Sequence, residues 1–176
     1  MHALLSRILT LNLIASTLVF YVAARIYLIP RLGRLPSRAV LVPILLLHAL
    51  RHLGLMFLTP GATCPGLPPQ FAWPAALGDF VSAVLAFICI VPVLRESPAA
   101  RPMLWVFNVF GTLDLLLATT LANLYNAPPF MGPAYWIPAF WVPALLVSHY
   151  ITFLILLRKK SDHVSTSHLD SAREVG

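Results

Sequence analysis

Apolar residues run through this chain in five long blocks, and most polar residues collect between them. The blocks cover residues 8–29, 39–58, 71–94, 103–125 and 135–157. At about 1.5 Å of rise per residue, each is long enough as a helix to cross a hydrocarbon layer of about 30 Å. Within a block the apolar residues are continuous rather than alternating, which predicts helices and not the strands of a membrane barrel. Prolines punctuate the pattern at Pro30, from Pro60 to Pro69, at Pro98 and Pro102, and at Pro128 and Pro129, where a helix stops for want of a backbone donor. The expectation is an all-α, polytopic membrane bundle. It places five transmembrane helices in one domain over residues 1–160 and a polar, disordered cytoplasmic tail over residues 161–176.

Composition supports this reading. Of 176 residues, 59% are hydrophobic and 10% charged, and mean hydropathy is +0.84, values outside the range of an ordinary soluble domain. The net charge of +6 does not point to nucleic acid, because the basic residues stand between and after the apolar blocks, without interleaved aromatics. They fit anionic lipid head groups and a fixed orientation better. Arg25, Arg31, Arg34 and Arg38, then Arg95 and Arg101, then Arg158, Lys159 and Lys160 fall on one side, whereas residues 59–70 and 126–134 contain no Lys or Arg. The positive-inside rule predicts the N-terminus outside and the C-terminus in the cytoplasm, with Arg7 the one dissenting charge. Arg7 before an apolar run ending Val22-Ala23-Ala24 also has the form of a cleavable signal. Cleavage would leave the arginines that follow on the translocated side, so a retained helix is expected. Trp73, Tyr125, Tyr135 and Trp136 suit the head-group boundary, and the short connections favour a bacterial plasma membrane. Cys64, in a loop, and Cys89, deep in the third block, read as free thiols.

The stretch Leu45-Leu46-Leu47-His48-Ala49-Leu50-Arg51-His52-Leu53 breaks the apolar pattern from inside. An ionisable side chain at membrane depth marks a candidate site by default. On an α-helix His48, Arg51 and His52 share one face. Counted by helical rise from the cytoplasmic side they lie at about 14, 18 and 20 Å, with Asp114 at about 17 Å; Asp79 lies about 12 Å below the outer surface. One arginine, two aspartates and two histidines thus share a layer. Gly78, Ser82 and Ala86 beside Asp79, and Gly111, Ala118 and Ala122 beside Asp114, are small enough for helices to approach closely. Asn108, Asn123 and His149 add hydrogen-bonding groups; His149, at about 9 Å, is expected to lie lower, as an ordinary hydrogen-bonded histidine.

Several chemistries fit these residue types. His48 and His52, four apart, could present two imidazoles to a metal, with Asp79 or Asp114 completing the shell and Arg51 repelling the cation. A haem would pair His48 or His52 with His149, across a mismatch in depth. There is no His-Glu-x-x-His, phosphate-cradling glycine loop or Gly-x-Ser-x-Gly. Leu77-Gly78-Asp79-Phe80 resembles part of the Gly-x-Gly-Asp motif of intramembrane aspartyl proteases of the presenilin and signal-peptide-peptidase type, and Pro143-Ala144-Leu145 resembles their Pro-Ala-Leu motif. That resemblance implies Asp79 and Asp114 as an acid/base pair. It departs where Ala76 replaces the first glycine and where Asp114 follows the motif instead of preceding it within Tyr-Asp. The chain is also short for that family.

The leading expectation is a polar pocket between the second, third and fourth helices that binds or conducts an ion, a proton or a small solute, in transport or sensing. Arg51, Asp79, Asp114, His48 and His52 would form it. The competing expectation is an accessory or assembly subunit whose ion-pair layer is structural and whose outer faces, with Trp105, Phe107 and Phe110 or Phe140 and Trp141, meet a partner. A membrane-embedded enzyme acting on a lipid-soluble substrate is the third. The bilayer is the expected partner, with a homo-oligomer or a larger complex around a bundle this thin.

Overall fold

The computed structural model describes residues 2–158, so the expected tail at 161–176 lies outside the described residues. Their regular secondary structure is all helical, with no strand among the described residues. Helix α1 (His2–Ala23) continues through a π-helical turn (Ala24–Leu28) and a 3-10 turn (Ile29–Arg31). Helix α2 (Ser37–Ala49) runs on into a 3-10 segment, Leu50–Leu58; α3 is Pro69–Leu94 and α4 is Ala100–Leu124. Short turns at Pro128–Phe130, Gly132–Tyr135 and Ile137–Trp141 lead into α5 (Val142–Leu157). Five continuous spans, Arg7–Arg31, Ser37–Leu58, Pro69–Leu94, Ala100–Leu124 and Gly132–Leu157, are long and apolar enough to cross a membrane. The sequence blocks fall within three residues of these bounds.

Proline chemistry accounts for the irregular ends. Pro69 opens α3 at a first-turn position where no backbone donor is needed. Pro143 cannot donate to the carbonyl of Ala139, and the turn holding Ala139, Ile137–Trp141, is opened into π geometry.

The decisive irregularity is in the second span. Up to His48 the buried positions, Val40, Leu41, Ile44, Leu45 and His48, keep the α-helical period. From Leu50 the buried residues are Arg51, Gly54 and Phe57, three apart, as a 3-10 helix stacks them. One line of three residues therefore faces α3, the central helix, which also packs against α4.

Helix α1 lies at the edge, against α5 and the turn before it. Phe20 meets Phe140 edge-on at 5.4 Å and Tyr21 lies 5.9 Å from Tyr150. Asn12 Nδ2 donates to the Tyr135 hydroxyl at 3.1 Å. Phe107, expected on an outer face, is instead fully buried, while Phe110 and Phe140 are exposed.

Three apolar clusters fill the interior among the described residues; one joins Ala24, Val40, Ile44, Val147 and Ile151 where α1 flanks α2 and α5, and the other two are stacked along the bundle. Of these two, one joins Phe57, Phe71, Ala75, Leu115 and Leu145 at the end where the 59–70 and 126–134 connections meet. The other joins Leu41, Leu45, Ala86, Phe107 and Leu156 toward the opposite end. Along α2, α3, α4 and α5 alike, the step from one cluster to the other is made by the buried polar residues: His48 and Arg51, Asp79 and Ser82, Asn108 and Asp114, Ser148, His149 and Thr152. The arginine-bearing ends meet at the far side. Arg38 pairs with Glu96 at 3.3 Å, and Arg101 Nη2 donates to the Leu156 carbonyl at 2.9 Å. The connections at the other end are joined by Cys64 N–H to Phe130 O and Ala134 N–H to Ala62 O, each 2.9 Å. Cys64 is exposed and Cys89 buried, both as free thiols.

Candidate functional site: a buried layer of charge

Arg51 stands at the centre, its side chain fully enclosed. Nε donates to Asp79 Oδ1 at 2.7 Å, Nη2 to Asp114 Oδ2 at 2.5 Å and Nη1 to the Gly111 carbonyl at 3.2 Å. The guanidinium fork thus ties the 3-10 segment after α2 to α3 and α4 at once, in the charge-assisted geometry that arginine holds best. Both carboxylates are about nine-tenths buried, with side-chain exposures of 11% and 8%. Two acidic groups share one permanently charged base.

Three glycines make the space. A Cβ on Gly54 would fall among the side-chain atoms of Asp79, one on Gly78 would collide with the Asp114 carboxylate, and one on Gly111 would lie 2.7 Å from His149 Nε2 and 3.0 Å from Arg51 Nη1. Each glycine sits on one helix where a polar side chain from another must pass. Close helix approach through small residues is here an approach of helix backbone to charge.

Gly111 also joins the ion pairs to a second group, the histidines. His48 and His149 pack with ring centroids 4.2 Å apart, and both rings lie against Phe107, at 5.0 and 5.3 Å. Ser148 Oγ gives its one proton to the Leu145 carbonyl at 2.8 Å. It therefore accepts from His48 Nε2, also at 2.8 Å, and His48 Nδ1 is left as the lone-pair nitrogen. Asn108 Nδ2 donates to the His149 carbonyl at 3.3 Å, which turns its Oδ1 toward His149 Nδ1 at 2.7 Å. His149 Nδ1 donates, and Nε2 carries the lone pair on the side facing Gly111 and Arg51. His48 Nδ1, His149 Nε2 and Ser82 Oγ are buried without a hydrogen-bond partner among the described residues. On the other side of the layer, a cavity of about 30 Å³ is lined by Asp79 with Phe57, Phe71, Ala118 and Val142. That is space for about one water molecule.

The structure brings together His48, Arg51, Asp79, Asp114, Asn108 and His149, and leaves out His52 and Asn123. His52 is exposed, with Nδ1 against its own helix at Ala49 O, 2.9 Å. The cause is the change of pitch at Leu50: three residues per turn keep Arg51 inward and carry His52 off the face of His48. Two imidazoles on one helix face, as a metal site there requires, are not formed. No group of three His, Cys, Asp or Glu side chains placed to hold a metal occurs among the described residues. Asn123 is exposed and donates to Thr119 O at 2.9 Å.

His149 corrects the expectation in the other direction, since it lies in the layer and not below it. A Cα–Cβ bond leans toward the N-terminus of its helix. Helices α2 and α5 are antiparallel, so His48 leans toward the arginine-rich end and His149 away from it, and the rings meet across a difference in backbone height. Their contact leaves no room for a porphyrin plane between them, so a haem held by this pair does not fit. Ser148, which the sequence reading missed, was marked by its place in the polar line Ser148, His149, Thr152 within an otherwise apolar helix. Asp79 and Asp114 each bind Arg51 from opposite helices, an arrangement unlike two carboxyls facing each other across an attacking water.

No curated protein and no solved structure matches the chain. Residues 8–157, which take in every element of this layer, match the family described as a domain of unknown function (DUF8737), and the chain belongs to that family.

Proposed function

We propose that this chain is an integral membrane protein of five spans, N-terminus outside and C-terminus cytoplasmic, whose buried layer binds and exchanges a proton. The membrane part is supported by the five apolar spans and by side chains such as Leu11, Leu18, Phe87, Leu113 and Leu124 facing outward. In water, each such side chain would forgo burial worth roughly 1.5–3 kcal/mol. The arginines at one end support that orientation, and the shortness of the loops supports a bacterial plasma membrane.

One observation carries the proton: Asp79 and Asp114, both buried, share the single cation Arg51. Two negative charges against one positive leave one acidic group to be balanced, and an unbalanced charge in this medium is costly. A metal cation needs a shell of several ligands, whereas a proton needs one lone pair. Lone pairs occur in sequence across the layer, on the aspartates, on His149 Nε2 and on His48 Nδ1. An anionic solute is a poorer fit, because Arg51 is engaged by its own carboxylates.

The test is a proton count. Full-length protein in unbuffered liposomes with a protonophore should take up about one proton more per chain than Asp114→Asn as the medium is acidified. Identical titration curves would refute exchange at this layer.

A second reading keeps the layer as a purely structural clamp in an accessory or assembly subunit of a homo-oligomer or larger complex. Arg51 spends each of its nitrogens on a partner, as a packing device would. It predicts that Asp114→Asn changes folding or association without changing the proton count.

A further inference from the structure

The arginine-rich end holds a cleft of about 650 Å³ that the proton layer does not use. Three elements each bring one arginine to it: Arg38 from the start of α2, Arg101 from the start of α4 and Arg158 from the end of α5. Glu96, between α3 and α4, also lines it. Among the described residues, three guanidiniums against one carboxylate leave two positive charges at the rim. Apolar side chains line the rest of it, with Leu35 exposed and Ile155 half-buried beside the charges. Arg101 is held in place by its bond to the Leu156 carbonyl, 2.9 Å. The Arg38–Glu96 pair, 55% and 70% exposed, is loose enough to open for a competing anion.

A small inorganic anion would use the arginines and leave the wall bare; a neutral lipid would use the wall and leave the charges. A molecule with a phosphodiester on a hydrocarbon chain uses both, and a helix end in a cytoplasmic leaflet is where such molecules are concentrated. We infer that this cleft is a binding site for an anionic phospholipid. Its phosphate is held by Arg38, Arg101 and Arg158, and one acyl chain lies against Leu35 and Ile155. The assignment rests on the membrane-spanning part of the proposed function and is independent of the proton.

Native mass spectrometry of the full chain in detergent tests it, with phosphatidylglycerol or phosphatidylcholine added in about 0.5 M ammonium acetate, where the screening length is about 4 Å. Phosphatidylglycerol should be retained in preference. The double change Arg38→Gln with Arg158→Gln should weaken it roughly thirtyfold, and Arg25→Gln with Arg31→Gln, equal in charge but outside the cleft, should leave it within about twofold. Glu96→Gln should strengthen it roughly fivefold, a gain that misfolding cannot imitate. Equal losses in the two double variants, equal retention of the two lipids, or displacement by inorganic phosphate would overturn the site. A chain that stays monodisperse without detergent would instead overturn the membrane reading beneath it.

Discussion

Gly78 shows how tightly the layer is set at the scale of single residues. Its missing side chain is the volume that the Asp114 carboxylate occupies, so any Cβ there displaces a charge from its partner. Gly78→Ala should therefore act as an overpacking and an ion-pair mutation together, at a cost of about 3 kcal/mol or more. Alanine is ordinarily the better helix former by about 1 kcal/mol, so a naive expectation has the opposite sign. Thermal unfolding in detergent distinguishes them. A melting temperature equal to or above that of the wild type would mean that α3 and α4 do not meet through this glycine. Arg51, Asp79 and Asp114 were legible as a group in the sequence because depth along a helix is simple arithmetic and charges at one depth need one another. His149 was not, because the arithmetic follows Cα atoms while the contact is made by rings leaning in opposite directions from antiparallel helices.

At the scale of the element, the 3-10 segment after Ala49 decides which polar residues belong inside. It aligns Arg51, Gly54 and Phe57 on α3 and turns His52 out. The length and apolar character of the second span were readable from its composition. The change of pitch was not, since the apolar pattern alone fits either period over so short a run. The consequence is a contrast between two histidines four residues apart. His48→Ala removes a buried ring that packs on Phe107 and His149 and donates to Ser148, and should cost about 2–4 kcal/mol. His52→Ala should stay within about 0.5 kcal/mol, as an exposed substitution. Denaturant titration of both variants checks this; equal costs would imply that α2 remains α-helical past His48 and that both rings face the interior.

For the whole molecule, five apolar spans were legible to within a few residues, because Pro clusters and charge mark their ends. The bundle gathers Arg38, Arg101 and Arg158 at one end, and leaves the other to Pro- and Gly-rich connections and the exposed Cys64. The proposed orientation puts that thiol outside. A membrane-impermeant maleimide should label Cys64 in intact cells and the label should vanish in Cys64→Ser, with Cys89 shielded in the core. Labelling that requires permeabilised cells would invert the topology.

Proton exchange in a buried layer of one arginine and two aspartates is read most directly by infrared spectroscopy, where a protonated carboxyl absorbs apart from a carboxylate. Wild-type protein in liposomes should show a protonated-carboxyl band that grows as pH falls while the fold is retained. That band should shift in heavy water and be lost or displaced in Asp114→Asn and in Asp79→Asn. A spectrum with no titrating carboxyl band, or one unchanged in both variants, would contradict the proton layer and leave Arg51 as a clamp between helices.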